Sequence, residues 1–207
     1  MTSPASLEAV AAARHPASAP AGYRGRGFVY VLATSGAEDL LKIGMTHDPL
    51  ERWPAFHPRW FEAFDLEHSL LVETETRRDA QALETRFHHR LAVHHCPVPL
   101  TIRARAGGGT EWYRGAYPSA RRLVLEQQAL GHVVHLQARA WCEAPMRDRQ
   151  MYLDGLIREA HADHCAGWLA QHQRQALRDL VDAHRCFDPA LPARIPADLL
   201  AEIGIHA

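Results

Sequence analysis

The sequence predicts an α+β fold, a small antiparallel sheet of three main strands flanked by helices and followed by a mostly helical C-terminal extension. Three observations lead there. A β-branched and aromatic run, residues 28–32, and a second apolar run, residues 40–45, flank a polar turn around Gly36, which reads as a hairpin with a longish loop. Phe64, Leu66, Leu70 and Val72 alternate with Asp65, Glu67, Ser69 and Glu73, the period of a half-buried strand. From Thr76 onward apolar residues recur at helical spacing, and helical patterning dominates residues 145–186.

Taken in order, residues 1–26 are rich in Ala, Pro, Ser and Gly and hold too few large apolar side chains to offset the entropy of ordering, so a mobile leader is expected, with room for a short helix at 7–14. The hairpin comes next. A turn centred on Gly36 pairs residues whose numbers sum to 72, setting Tyr30 opposite Lys42 and Phe28 opposite Gly44, with Tyr30 and Lys42 on one face. Glycine at 44 leaves space for a close approach. Asp48-Pro49 is a helix start, the carboxylate capping free N–H groups and the proline occupying the first turn. That helix carries Arg52 and is expected to stop at Trp53-Pro54, because the residue before proline is driven out of the helical region.

In the alternating strand His68 is the one polar side chain in the apolar phase. Thr76-x-x-Asp79 resembles a capping box, and the helix it opens buries Ala80, Leu83, Phe87 and Leu91 and ends near residues 95–97. Residues 98–106 are compatible with a strand, Gly107-Gly108-Gly109 with a flexible turn, and Glu111-Trp112-Tyr113 with a last short extended piece. A helix over 117–130 is stopped by Gly131, where composition shifts. The expected division is a leader at 1–26, a mixed domain at 27–130 and a helical extension at 131–207. In that extension, Gly155 and Gly167 interrupt the helices and a short helix forms near 198–203.

Composition removes several function classes. With 207 residues, a net charge of -1 and 47% hydrophobic residues, the chain has ordinary globular make-up. It contains a single lysine, Lys42, and no asparagine. Lys42 follows Leu41, so no Walker-type phosphate loop exists, and kinase and His-Asn-His nuclease sites lack their asparagine. No serine lies in G-x-S-x-G, and H-E-x-x-H is absent. Four cysteines without C-x-x-C spacing, no signal sequence at residues 1–10 and no apolar run of roughly 18 residues imply a cytoplasmic protein not integral to a membrane.

The order hairpin, short helix, strand, helix, with Phe28-Val29-Tyr30 on the first strand and Lys42-Ile43-Gly44 on the second, resembles the GIY-YIG nuclease superfamily. The resemblance is to its phage-type branch, often described as a DNA-binding domain, whose second motif commonly reads KIG. Arg52 in Leu50-Glu51-Arg52-Trp53, Glu84 in Ala82-Leu83-Glu84 and the segment Glu111-Trp112-Tyr113 continue it, over roughly residues 27–115. It implies a divalent-metal-dependent DNA endonuclease that hydrolyses phosphodiester bonds. Glu84 would hold one Mg²⁺ (or Mn²⁺), and Tyr30 would be the general base or water-positioning group. Lys42 would lower the pKa of Tyr30 or touch the phosphate, Arg52 would clamp a non-bridging oxygen, and His47 would order the nucleophile. Glu84, rotated about 100° from core-facing Leu83, is expected at the exposed rim, with His88 as its outer partner. Lysine replaces the second motif's tyrosine, and Glu111 or Tyr113 is left to fill the place of the late asparagine some relatives use. The alternatives are a non-catalytic DNA-binding module of the same fold and a helical interaction protein with a vestigial nuclease domain.

Residues 100–122 hold five arginines against Glu111, a local charge of 5 - 1 = +4. Arg103, Arg105 and Arg114 are therefore candidates for contact with DNA, as are Trp112 and Tyr113, for which core packing beneath the last strand is the alternative to stacking on a base. Eight of the 15 histidines fall in two groups, one of His88, His89, His94 and His95 with Cys96, the other of His161, His164, His172 and His184 with Cys165 and Cys186. Neither matches a recognised zinc spacing, so a solvated histidine-rich surface is expected rather than structural zinc. The better candidate is the second, where His161, His164 and Cys165 stand at i, i+3 and i+4. For the C-terminal helices, assembly as a homodimer or scaffold is the default expectation.

Overall fold

The structure, a computed structural model, describes residues 25–102 and 109–205. Most of the expected leader and all of residues 103–108 lie outside the described residues. The described chain forms two compact units, divided after Glu143, beyond the composition shift at Gly131. The first is built on a six-stranded antiparallel sheet of order β4-β5-β2-β1-β3-β6, and the second is helical, so the α+β class and the helical C-terminal part are both present.

β1 (Gly27–Thr34) is the central strand, buried along nearly its whole length, with β2 (Leu40–Thr46) on one side and β3 (Phe64–Thr74) on the other. The β1–β2 register sums to 74 rather than 72, so Tyr30 faces Gly44 and Lys42 faces Leu32. The shift comes from the loop's far end. The Asp39 carbonyl accepts from Gly115 N at 2.8 Å and its carboxylate accepts from Tyr117 N at 3.1 Å, so the returning strand starts at Leu40. A shift of two residues preserves the face, and Tyr30 and Lys42 still share one side of the sheet.

α1 (Pro49–Phe56) begins as expected, with Asp48 Oδ1 accepting from Leu50 N at 2.9 Å and Glu51 N at 3.2 Å. It does not stop at Trp53. Pro54 lies inside it, and the helix continues for another two residues because Trp53 and Phe56 are both fully buried against β1. α2 (Trp60–Ala63) is a single turn leading into β3. The β1–β3 register shifts between Val31 and Ala33, and this bulge breaks the alternation of β3. Ser69, not His68, turns inward; its Oγ accepts from Ala33 N at 3.0 Å and donates to Asp65 O at 2.7 Å, while His68 is exposed and pairs with Asp65.

α3 (Arg77–Arg90) is capped by Thr76, whose Oγ1 accepts from Asp79 N at 3.1 Å. A 3₁₀ turn (Ala92–His94) and the two-residue β4 (His95–Cys96) follow. Residues 98–102 form no strand. β5 (Trp112–Arg114) pairs with both β2 and β4, and α4 (Tyr117–Ala129) closes the layer with α3. β6 (Val134–His135) adds to the outer edge of β3.

One sheet face, carrying Val29, Val31, Leu41, Ile43, Leu70 and Val72, packs on Ala80, Leu83 and Phe87 of α3 and Leu123 and Val124 of α4 in an aliphatic core. The other carries Phe28, Tyr30, Leu32 and Lys42 against an aromatic layer that includes Trp53 and Phe56.

α5 (Ala138–Asp148) contains the boundary between the units. In the helical unit, α6 (Gln150–Cys165) runs through Gly155 without a break, α7 (Gln171–Arg185) follows, and α8 (Ala197–Glu202) is the short terminal helix. Leu153, Ile157 and Ala160 of α6, Leu177 and Val181 of α7, and Leu199 and Leu200 of α8 form its core. No helix among the described residues is long and apolar enough to cross a membrane.

Candidate functional site

The site lies where β5 ceases to pair with β2. That pairing ends at Lys42–Trp112, and beyond it the β2 edge around Gly44 is where side chains from both sheet faces meet. Tyr30 reaches this edge by lying across Gly44. A Cβ at position 44 would come within 2.3 Å of the Tyr30 hydroxyl and 2.6 Å of Cζ, so this crossing requires glycine. Trp53 and Phe56 hold the Tyr30 ring edge-on, at centroid distances of 6.5 and 6.3 Å.

Lys42 is fully buried. Its ammonium donates to Ile43 O at 3.0 Å, forms a close ion pair with Glu111 Oε2 and sits 5.5 Å above the Phe56 ring. Arg52 covers the same ring, with Cζ at 4.5 Å from its centroid, and sets its positive charge beside the Tyr30 phenol. From α3, Glu84 approaches the same edge. Its Oε2 accepts from Gln81 Nε2 at 3.0 Å, and its Oε1 lies 3.8 Å from His88 Nε2. The other His88 nitrogen, Nδ1, is 2.5 Å from the Tyr113 hydroxyl, and the two rings stack at 5.8 Å.

Burial sets the protonation states. It raises the Tyr30 pKa well above the ordinary phenol value; the Arg52 guanidinium opposes the rise, while Glu111 and Glu84 add to it. The lowering by Lys42 expected from sequence is therefore reversed, and Tyr30 stays a protonated O–H donor. Burial lowers the Lys42 pKa, with Glu111 pulling the other way. Tyr113 is pushed up to about 12, first by burial and then by Glu111 and Glu84.

Four residues singled out from sequence, Tyr30, Lys42, Arg52 and Glu84, thus come from four segments to one place. Glu84 differs in one respect. It is only 8% exposed rather than at an open rim, because Gln81, His88 and Glu111 surround its carboxylate. His47 does not join them; its ring is exposed and pairs with Glu51 at 3.3 Å. Glu111 enters the centre of the site, and His88 faces Glu84 directly instead of standing behind it. Both bracketing segments were visible in sequence, but the convergence depends on β5 lying beside β2.

Of the residues expected to contact DNA, Arg103 and Arg105 lie outside the described residues. Arg114 is exposed and pairs with Glu38 at 3.2 Å. Trp112 and Tyr113 are buried, so core packing holds for them and stacking on bases does not: β5 is an interior strand paired on both edges, and Tyr113 packs into the hydrophobic core shared with α3 and α4. Arg121 and Arg122 are exposed on α4.

A divalent cation fits this donor set. Ligand atoms of Glu84, His88 and Glu111 lie within 4.8 Å of one another, and His88 Nε2, buried and turned toward Glu84, has no hydrogen-bond partner. With Nδ1–H donated to Tyr113, the Nε2 lone pair is free for a metal, the usual arrangement of a ligating imidazole. Lys42, Arg52, Glu84 and Glu111 carry formal charges that cancel, so a dication and a phosphodiester monoanion would together add one positive charge.

The fold and this cluster define an α+β domain that gathers a phenol, two cations, two carboxylates and an imidazole at one sheet edge. Residues 27–128 match the family model of the T5orf172 domain, a phage-associated domain found in some GIY-YIG and HNH-like nucleases and associated with nuclease and DNA-binding functions. No curated protein and no solved structure matches the chain.

Proposed function

We propose that the protein is a divalent-metal-dependent DNA endonuclease of GIY-YIG type. The observation that carries this reading is the meeting of Tyr30, Lys42, Arg52 and Glu84 at the Gly44 edge, with Glu111 and His88 completing a donor set around Glu84. Phosphodiester hydrolysis needs an activated water, neutralisation of charge on the phosphoryl oxygens and support for the leaving oxygen. A bound Mg²⁺ or Mn²⁺ supplies Lewis-acid polarisation of the phosphate and acidifies a coordinated water. Glu84 would hold that ion, with Glu111 and His88 beside it.

Arg52, partly exposed and with its charge beside the Tyr30 phenol, is the group able to grip a non-bridging oxygen with its planar fork. Tyr30, held protonated by burial, presents its hydroxyl oxygen to the guanidinium and can donate its O–H to a water, and is not the proton acceptor. That task falls to the Lys42–Glu111 pair, in which desolvation weakens the hold of lysine on its proton.

The test is nicking of supercoiled plasmid in Mg²⁺, in Mn²⁺ and in chelator. Cutting should require the metal, and Glu84→Ala should lower it on the order of 10³-fold while DNA retention in a gel shift persists. Equal nicking by Glu84→Ala, or nicking in chelator, removes the hydrolytic reading.

The full burial of Lys42 and near-burial of Glu84 favour a second reading, a DNA-binding module that keeps the fold without the chemistry. Wild-type protein that shifts DNA in a salt-sensitive manner but never nicks it would select that one.

A further inference from the structure

The helical unit brings a second, chemically different set of donors together. α6 presents His161 and Cys165 one turn apart, and Asp198 near the start of α8 faces them from 37 residues further along the chain. His161 Nε2 is 3.1 Å from Asp198 Oδ2 and 3.7 Å from Cys165 Sγ. His164 Nε2 stands 3.8 Å from the same Asp198 oxygen. We infer that His161, Cys165 and Asp198 form a zinc-class metal site, with water completing the coordination and His164 beside Asp198, which ties α6 to α8.

Two arguments support the assignment. The first is spacing. A tetrahedral ion bound at about 2.0–2.1 Å by nitrogen and oxygen and about 2.3 Å by sulfur sets adjacent ligand atoms roughly 3.3–3.6 Å apart; the two separations from His161 Nε2, 3.1 Å to Asp198 and 3.7 Å to Cys165, bracket that range, and the ligand atoms of all three residues lie within 4.8 Å of one another.

The second is proton counting. Asp198 and Cys165 both meet the same ring nitrogen, Nε2. A nucleophile, base and orienting acid would need opposite nitrogens of the ring, so this is not a thiol-activating triad. Nε2 carries at most one proton. If it donates to Asp198, the Cys165 sulfur faces no lone pair; if it accepts from the thiol, a carboxylate faces a lone pair. One cation at the shared centre satisfies all three groups at once. Cys165 would bind as the thiolate, its proton passing to solvent, and Asp198 balances the remaining charge. The thiolate and imidazoles select a borderline-soft ion over Mg²⁺.

Binding couples to stability because the ligands come from two helices that pack through Ala160, Leu199 and Leu200. The experiment is titration of the full-length, reduced protein with Co²⁺, followed by exchange with Zn²⁺. Wild type should develop tetrahedral visible bands and a near-ultraviolet thiolate-to-cobalt band. Cys165→Ser should lose the thiolate band, and Asp198→Asn and His161→Ala should weaken binding at least about tenfold. Zn²⁺ in excess should raise the unfolding midpoint of wild type by more than about 5 °C and leave that of Cys165→Ser in place. Cys165 is exposed, so circular dichroism of Cys165→Ser should match wild type. A wild type without the thiolate band, or a band that survives intact in Cys165→Ser, overturns the site.

Discussion

The two donor clusters differ in how the chain assembles them. In the α/β unit, Lys42, Glu84, His88 and Glu111 come from β2, α3 and the residue before β5, and Lys42 and Glu84 are buried. In the helical unit, His161, His164 and Cys165 sit on one helix face, Asp198 is the single distant partner, and Cys165 and Asp198 are exposed. The first set is mostly oxygen, balanced by two cations; the second contains a thiol and two imidazoles with no cation among its contacts given above. A dispersed, buried and charge-balanced cluster depends on strand register and suits a reacting phosphate. A local, exposed cluster depends on helix pitch and suits an ion that staples two elements.

The largest expected effect separates charge from geometry in the first cluster. Arg52 rests on Phe56 with its charge beside the Tyr30 hydroxyl. Arg52→Ala should lower nicking roughly 10²- to 10³-fold. Arg52→Lys keeps the charge but loses the fork and the ring stacking, and should recover only a small part of that loss. Full recovery by lysine would make the site a diffuse positive field, no more built for one ester than the exposed arginines of α4.

Sequence periodicity carried the hairpin, β3, α3 and α4, since each is written in a local pattern: the Asp48 and Thr76 caps, the alternation after Phe64, the spacing of Ala80, Leu83 and Phe87. The departures all trace to long-range contacts. The hairpin register was off by two because Asp39 is anchored by Gly115 and Tyr117, far along the chain. Pro54 did not end α1 because two aromatic anchors are worth more than the one backbone hydrogen bond a proline deletes. Trp112 and Tyr113 belong to the core because the two-residue β4, too short to carry a pattern, makes β5 an interior strand, and its side chains then project into the layers packed on the sheet. At the site, four residues were legible through the resemblance to a nuclease family, whereas the roles of Glu111 and His88 emerge only once β5 lies beside β2.

Acid should act on the helical unit through a histidine that the sequence places in its second histidine group without showing that it is buried. His184 of α7 is buried, and its pKa is lowered to about 4, first by burial and then by Arg149, with Asp154 and Asp188 opposing. A histidine whose folded pKa lies below its unfolded value of about 6.5 leaves stability intact above that pH. As pH falls from there toward 4 the unfolded chain takes up the proton first, and roughly 3 kcal/mol is lost. Hydrogen exchange of α7 amides at pH 7 and pH 4.5 should show the loss, and His184→Gln should flatten it. A wild-type profile already flat over that interval would mean that His184 finds water or a counter-charge when protonated.

The smallest effect bears most directly on whether the buried cluster depends on register. Gly44→Ala would place a methyl group 2.3 Å from the Tyr30 hydroxyl, and the ring cannot swing aside because Trp53 and Phe56 hold it edge-on. The substitution should cost about 1–3 kcal/mol of stability. It should also displace the hydroxyl from Arg52. Much less should be lost when Tyr30→Ala has already removed the ring, so denaturant unfolding of the two single variants and the double variant should give a coupling of about 1 kcal/mol or more. Additive losses would mean that strand β2 moves freely past the ring. The close crossing at Gly44 would then no longer be what joins the two sheet faces, and the buried site would owe as little to strand pairing as the helical one does.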